Sequence, residues 1–545
     1  MAGRHDPVMH PPLSHPGWQT WPGAVFAMGI LGLSLSGLGA LIWQSPGVDI
    51  TSLWHSSYLR GVIAFSFSQA TLSVALSLFA AIPVARALDR HRNFAGRSLL
   101  LRLMELSLVL PTIVAISGLV AIYGRQGWLT PIISYLAPAL DWNLYGLSGI
   151  VLAHVFFNAP LAARILLQSF ENMPSQQRKL ASQLGLGSLW LWRTIEWPAI
   201  RGILPGLAGL IFTLCFTSFA IVMTLGGGPS ATTLEVAIYQ ALRFEFDFGR
   251  AALLALVQLL VCGSLWWVVV RHNTNAALMP NRVSQEHPSR RDSTGISHIT
   301  DSLMLLFFSA FLVLPLAAII WRGLPGLWDG QVSLLLPATL RSFAIALPAG
   351  ALSVIVALLI VTASGSTRSR IISRLCDIAA HFPLIIPAIV MGTGLFLLLR
   401  PSLGTRYDGF ALVALINALM ALPFIVHLLR GPLQGLDGDT LKVADQLNIR
   451  GWYRWRWLHW PRLRKPLALS MAYGTALSLG DFGVIALFGT PAQPTLPVLL
   501  YQQLGSYQIA SAAGTGLWII ALLLANFGMF NLLGRSPRLK ESNHA

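Results

Sequence analysis

Asp481 stands in the run Gly480-Asp481-Phe482-Gly483, inside a stretch of otherwise apolar residues. A carboxylate is costly in such surroundings, so its presence asks for a use. It can offer a counter-charge to a cationic solute, with Phe482 and, at the equivalent place earlier in the chain, Phe219 supplying aromatic faces. It can instead bond backbone N–H groups freed where a helix is interrupted between the two glycines. Both readings stand on the sequence alone. Ser218, the counterpart of Asp481, is uncharged. Ser218, Phe219, Asp481 and Phe482 are therefore the candidates for lining a solute path.

Other combinations point away from bond chemistry. Gly226, Gly227, Gly228 and Pro229 have the glycine content of a phosphate cradle, but no Lys-Ser/Thr pair follows, which excludes a P-loop. A turn closing an apolar segment is what the run specifies. No other motif for ATP hydrolysis is present. Cys215, Cys262 and Cys376 lie singly in or beside apolar runs, without metal-ligand spacing, and read as packing residues. Glu105 and Asp377 each follow an arginine, Arg102 and Arg374, by three positions, close enough on a helix to pair in a structural role. His154 and Asn158 either line a path or bond across helices.

The elements that must hold these residues follow from composition. The 545 residues are 54% hydrophobic and only 11% charged, with a mean hydropathy of +0.64. Soluble domains carry about a quarter charged residues, so this is an integral membrane protein. Apolar stretches of the ~20 residues that cross a bilayer as helix recur along the chain. Twelve are expected, beginning near Trp21, Gly61, Leu106, Leu147, Ile203, Ala251, Ser302, Ser342, Leu384, Phe410, Leu467 and Ala510. Period-two strand patterns are absent, which leaves a helical bundle. The first run lacks a basic n-region and a clear cleavage site, so it is kept as a span.

A net charge of +16 would suggest nucleic acid for a soluble chain. Here alternate loops hold about 29 of the 37 Lys and Arg residues, an asymmetry that places those loops and both termini in the cytoplasm. The partner implied is membrane lipid and no nucleic acid.

The chain is written twice. A shift of 263 aligns "KLASQLGLGSLWLWRTIEWP" from Lys179 with "KVADQLNIRGWYRWRWLHWP" from Lys442, and 10 of 26 positions from there are identical. The halves are parallel repeats. The organisation expected is a cytoplasmic N-terminus at 1–20, a first half at 21–270 with its repeated loop at 171–201, a linker at 271–301, a second half at 302–534 with its loop at 431–465, and a tail at 535–545.

Each loop has helical spacing that meets Gly185 in one copy and Asn448 in the other, the residue types that most readily take positive φ. Pro198 and Pro461 follow 13 positions later. Between them Trp192 and Ile195, and Trp455 and Leu458, belong to a short aromatic-rich helix. Such a helix outside the bilayer docks in a groove of a partner or lies among headgroups; the matched turn, spacing and proline favour the partner.

These loops resemble the EAA loop of ABC importer permeases, an Ala-containing helix, a Gly four residues on, and an Ile-x-Leu-Pro ending. Ala181, Gly185, Ile195 and Pro198 match, as do Ala444, Leu458 and Pro461; Lys179 and Lys442 stand where the family has Glu, and Asn448 where it has Gly. Stretches such as "YGRQGWL" from Tyr123, "LGGGPSATTLEVAIYQAL" from Leu225, "LSLGDFGVIALFG" from Leu477 and "LYQQLGSY" from Leu500 resemble the fused two-half permeases of the thiamine-importer branch.

The resemblance implies an all-α bundle of twelve transmembrane helices, two tandem six-helix halves of the type I importer class, in a bacterial inner membrane. It implies that the repeated loops seat in two copies of a cytoplasmic ABC ATPase, that a periplasmic thiamine-binding protein delivers thiamine or its phosphates, and that ATP is used by the partner while this chain binds no cofactor. The alternatives are a related importer for ferric iron or another small solute, and a twelve-span ion-coupled secondary transporter. "RALDRHRNFAGR" from Arg86 loosely resembles a loop of the latter, but has no second-half counterpart and reads as ordinary inside-positive charge.

Overall fold

The computed structural model describes residues 21–45, 47, 50–136, 142–185, 187–272, 295–328, 332–366, 369–403, 409–434, 444, 446–447, 449, 451–489 and 492–534. The expected N-terminal segment 1–20, most of the linker, the tail 535–545 and Asn448 lie outside them.

Helices account for the regular structure, and no strand occurs among the described residues. In chain order the main helices are α1 (Trp21–Trp43), α2 (Ser57–Arg90), α3 (Arg97–Val109), α4 (Thr112–Tyr123), α5 (Leu147–Glu171) and α6 (Ser175–Gln183). They continue with α7 (Leu204–Phe216), α8 (Ala220–Leu225), α9 (Leu234–Gln240), α10 (Phe248–His272), α11 (Gly295–Trp328), α12 (Val332–Ser366) and α13 (Arg370–His381). The last are α14 (Ala388–Leu403), α15 (Phe410–Gln434), α16 (Trp460–Leu479), α17 (Gly483–Phe488), α18 (Leu496–Gly505) and α19 (Ile509–Gly534).

Among the described residues eight helices are long and apolar enough to cross a membrane. Two bent pairs, Arg97–Ser107 with Thr112–Tyr123 at 115° and Ser188–Arg201 with Leu204–Phe216 at 55°, raise the number to ten if each is one span. The third expected span, beginning near Leu106, falls on the first of these pairs, which is broken where Pro111 cannot continue α3. α14, with a short apolar stretch at Ala388–Leu399, and α16 lie where the other two spans are expected, and neither is among those eight helices or two pairs. α11 begins at Gly295, inside the segment expected as linker, and carries Asp301 as a helical residue.

The described residues form two compact units. One draws on Met1–Trp43, Leu340–Val484 and Ala521–Ala545, the other on Gln44–Thr339 and Ile485–Ile520. In the first unit α1 packs on α13 and α14, and α15 packs on α16. In the second α2 packs on α5 and α7, and α11 packs on α2, α3 and α4. The first long helix of each repeat thus packs on helices of the other repeat.

With no water to expel between helices inside a bilayer, close approach of small residues supplies much of the attraction. Gly37 of α1 meets Gly394 of α14 so closely that a Cβ on Gly394 would lie 1.7 Å from the Gly37 carbonyl oxygen. Gly118 of α4 meets α11 in the same manner, a Cβ there falling 2.6 Å from the Pro315 carbonyl oxygen.

Several buried polar groups pair across helices. Gln69 Nε2 donates to the Cys215 carbonyl at 3.0 Å, and Ser73 Oγ lies 3.1 Å from His154 Nδ1. Asn158 Nδ2 donates to Cys215 Sγ at 3.3 Å, so both His154 and Asn158 bond across helices. Glu105 takes its hydrogen bond from Arg164 of α5 at 2.7 Å, and Asp377 from Arg430 of α15. The acids reach to α5 and α15 rather than along their own helices.

Candidate functional site: two coupling-type loops and two broken helices

After α5 the chain doubles back through α6, whose end is marked by a Leu184 N–H donating to the Leu180 carbonyl at 2.9 Å. Gly185 then takes φ +62°, the left-handed turn its residue type predicts. A short helix at Ser188–Leu191 leads into a π-helical turn at Trp192–Glu196 and a last turn at Trp197–Arg201, with Pro198 at its start. The second copy repeats this register: a helix at Gly451–Arg454, a π-helical turn at Trp455–His459, and α16 opening on Trp460 and Pro461. Single π-helical turns recur at functional positions because they admit one residue more than the α-helix.

Ala181, Ile195 and Pro198 line one cleft of about 590 Å³ between this loop and the end of α5, together with Met173 and Leu184. Ala181 and Ala444 are both buried. Trp192 is half-buried, its ring 5.8 Å from that of Trp197 and 5.1 Å from the Arg86 guanidinium. The residues that face outward are Leu189 and Trp190, 76% and 60% exposed, and in the second copy Trp452, Tyr453 and Trp457, 64%, 68% and 68% exposed. Leu458 is half-buried and Pro461 exposed.

Glu196, which the sequence pattern did not single out, is buried and accepts a hydrogen bond from Arg86 Nε at 2.6 Å. Its signal was an acid set between Arg193 and Arg201 in a loop of net positive charge.

The path candidates fall on two equivalent interruptions. α7 ends at Phe216 and α8 begins at Ala220; α16 ends at Leu479 and α17 begins at Gly483. Ser218 and Phe219 occupy the first break, Asp481 and Phe482 the second. Phe219 and Phe482 are buried, and the Phe219 ring lies 5.1 Å from that of Tyr239. Asp481 Oδ1 accepts a hydrogen bond from the Gly483 N–H at 3.2 Å, so the carboxylate bonds the start of α17. After α8, Gly227 and Gly228 turn the chain with positive φ, as the glycine run specifies. At the Tyr58 end of α2 they help line a cavity of about 680 Å³ with Pro229, Phe244 and Arg250.

A bundle of apolar helices with duplicated partner-type loops and broken helices defines the class: a multi-pass membrane transport permease rather than an enzyme. A family model described as the inner membrane component of binding-protein-dependent transport systems matches residues 73–273. The thiamine transport system permease protein ThiP of Escherichia coli strain K12 is 40% identical over 550 residues, covering 98% of this chain and 99% of that protein. The ThiP protein of Haemophilus influenzae strain Rd is 39% identical over 523 residues, 94% of each chain. That of Brucella abortus strain 2308 is 41% identical over 472 residues, 86% of this chain and 87% of the relative. The chain belongs to the thiamine transport system permease family.

Proposed function

We propose that the protein is the translocation subunit of an ATP-driven importer of thiamine and its phosphates in a bacterial inner membrane. Twelve spans, both ends in the cytoplasm, are arranged as two six-helix halves at 21–270 and 302–534. A periplasmic binding protein delivers the solute on the outer side. Two copies of a cytoplasmic ABC ATPase take the Gly185 loop and its second-half equivalent, and ATP is consumed there.

The single observation that carries this reading is the recurrence of the same short helix and π-helical turn 263 residues apart, at Trp192–Glu196 and Trp455–His459. A pair of identical motors has use for a pair of like handles. Outward-facing aromatics at each loop supply the apolar area that helix-in-groove binding needs, and 40% identity over 98% of the chain to a thiamine permease supports the substrate. Closure of the ATPase pair would move the loops with the helices they join, and the breaks at Ser218 and Asp481 are the places where a helix can give way inside the bilayer.

The test is reconstitution of the chain in vesicles with its ABC ATPase and binding protein, followed by uptake of radiolabelled thiamine and of ferric iron. ATP-dependent entry of thiamine alone is the expected result. Entry of iron instead would move the chain to a related importer, and uptake driven by an ion gradient without ATP would make it a secondary transporter.

A further inference from the structure

We infer that Arg86 and Arg90 are positioning residues that lock the first coupling loop to the helices behind it. The inference rests on the coupling role proposed for that loop. α2 has 34 residues, about 51 Å of helix, against about 30 Å of hydrocarbon. Its last turns therefore run past the apolar layer and bring two arginines to the loop.

Arg86 grips the loop at three points. Its Nε donates to Glu196 Oε2 at 2.6 Å, its terminal nitrogen donates to the Ser188 carbonyl at 2.8 Å, and its guanidinium lies 5.1 Å from the Trp192 ring centroid. The first residue of the short helix, the first of the π-helical turn and the last of that turn are thus tied to one side chain. Arg90 donates to Ser188 Oγ at 2.8 Å and, through its other terminal nitrogen, to Asp301 Oδ2 at 3.1 Å. His91 Nε2 also lies 3.2 Å from Asp301 Oδ2. An unbroken chain of hydrogen bonds runs from Glu196 through Arg86, Ser188 and Arg90 to Asp301 on α11. The planar guanidinium makes this possible, since its fork presents several donors in fixed directions, which an ammonium group does not.

The second loop has a different composition. The position 263 residues after Glu196 is His459 and that after Ser188 is Gly451, so the acid and the hydroxyl of the first lock have no equivalents there. A displacement of the first loop is handed through ion pairs to α2 and α11. Contiguous networks of this kind carry coupling only when their disruption changes it, which makes the claim measurable.

The experiment compares Arg86→Met, Arg86→Lys, Glu196→Gln and the charge-swapped double variant Arg86→Glu with Glu196→Arg against the wild type. Each is reconstituted as the full complex with its ATPase and binding protein, and the readout is thiamine imported per ATP hydrolysed. Import per ATP should fall at least about fivefold in Arg86→Met and Glu196→Gln while the ATPase still co-purifies. Arg86→Lys should be intermediate, and the swapped pair should recover part of the loss. Wild-type import per ATP in both Arg86→Lys and Glu196→Gln would overturn the lock alone. A wild-type preparation that retains no ATPase would overturn the coupling role and the lock together.

Discussion

Trp192 and Trp455, 263 residues apart, each open a five-residue π-helical turn, ending at Glu196 in one case and His459 in the other. The same irregular turn in the same register, between different neighbours, is a demand of the loop itself rather than of local propensity. Two loops so alike suit two like surfaces, and their side-chain differences say how the permease treats each one.

The turn into each loop should depend on φ and not on the absence of a side chain. Gly185 sits at φ +62° with open space where a Cβ would be, so substitution costs only backbone strain. Gly185→Asn, the residue present at position 448, should keep import within about twofold. Gly185→Val should cost about 1–2 kcal/mol of local strain and lower import more strongly. Uptake by vesicles carrying each variant decides it, and equal loss in both would show that the left-handed turn is not what matters.

At the second helix break, charge and hydrogen bonding can be separated. Asp481→Asn keeps an acceptor for the Gly483 N–H and removes the charge; Asp481→Ala removes both. With the carboxylate serving the start of α17, the Asn variant should import thiamine within about twofold of wild type. The Ala variant should lose about 1 kcal/mol of stability, as lost helix caps do, and import less. Abolished import in the Asn variant would assign Asp481 the counter-charge role.

Legibility followed the range of the interactions. The helical class, the repeat and the Gly185 turn could be read from sequence because they depend on local composition, register and one φ preference. The break at Asp481 was visible between two glycines, but the break at Thr217–Phe219 has no glycine and emerged only from its equivalence to the first. The pairing of Arg86 with Glu196 spans 110 residues and was hidden among ordinary basic loop charges. Glu105 and Asp377 were matched to the nearest arginine in sequence, whereas the bundle offers Arg164 and Arg430 in better geometry. The packing of α1 against α14 left no charge or motif at all, since it depends on glycines meeting glycines.

Whether the aromatic loops grip a motor or rest in lipid can be read directly. A photo-crosslinking residue placed at Trp190 and, separately, at Trp457, 60% and 68% exposed, reports what lies against each loop in the assembled complex. Illumination should join both positions to the ABC ATPase subunit, with yields that change between nucleotide-free and ATP-bound complexes. Adducts confined to lipid at both positions would contradict the coupling role on which the proposed function depends.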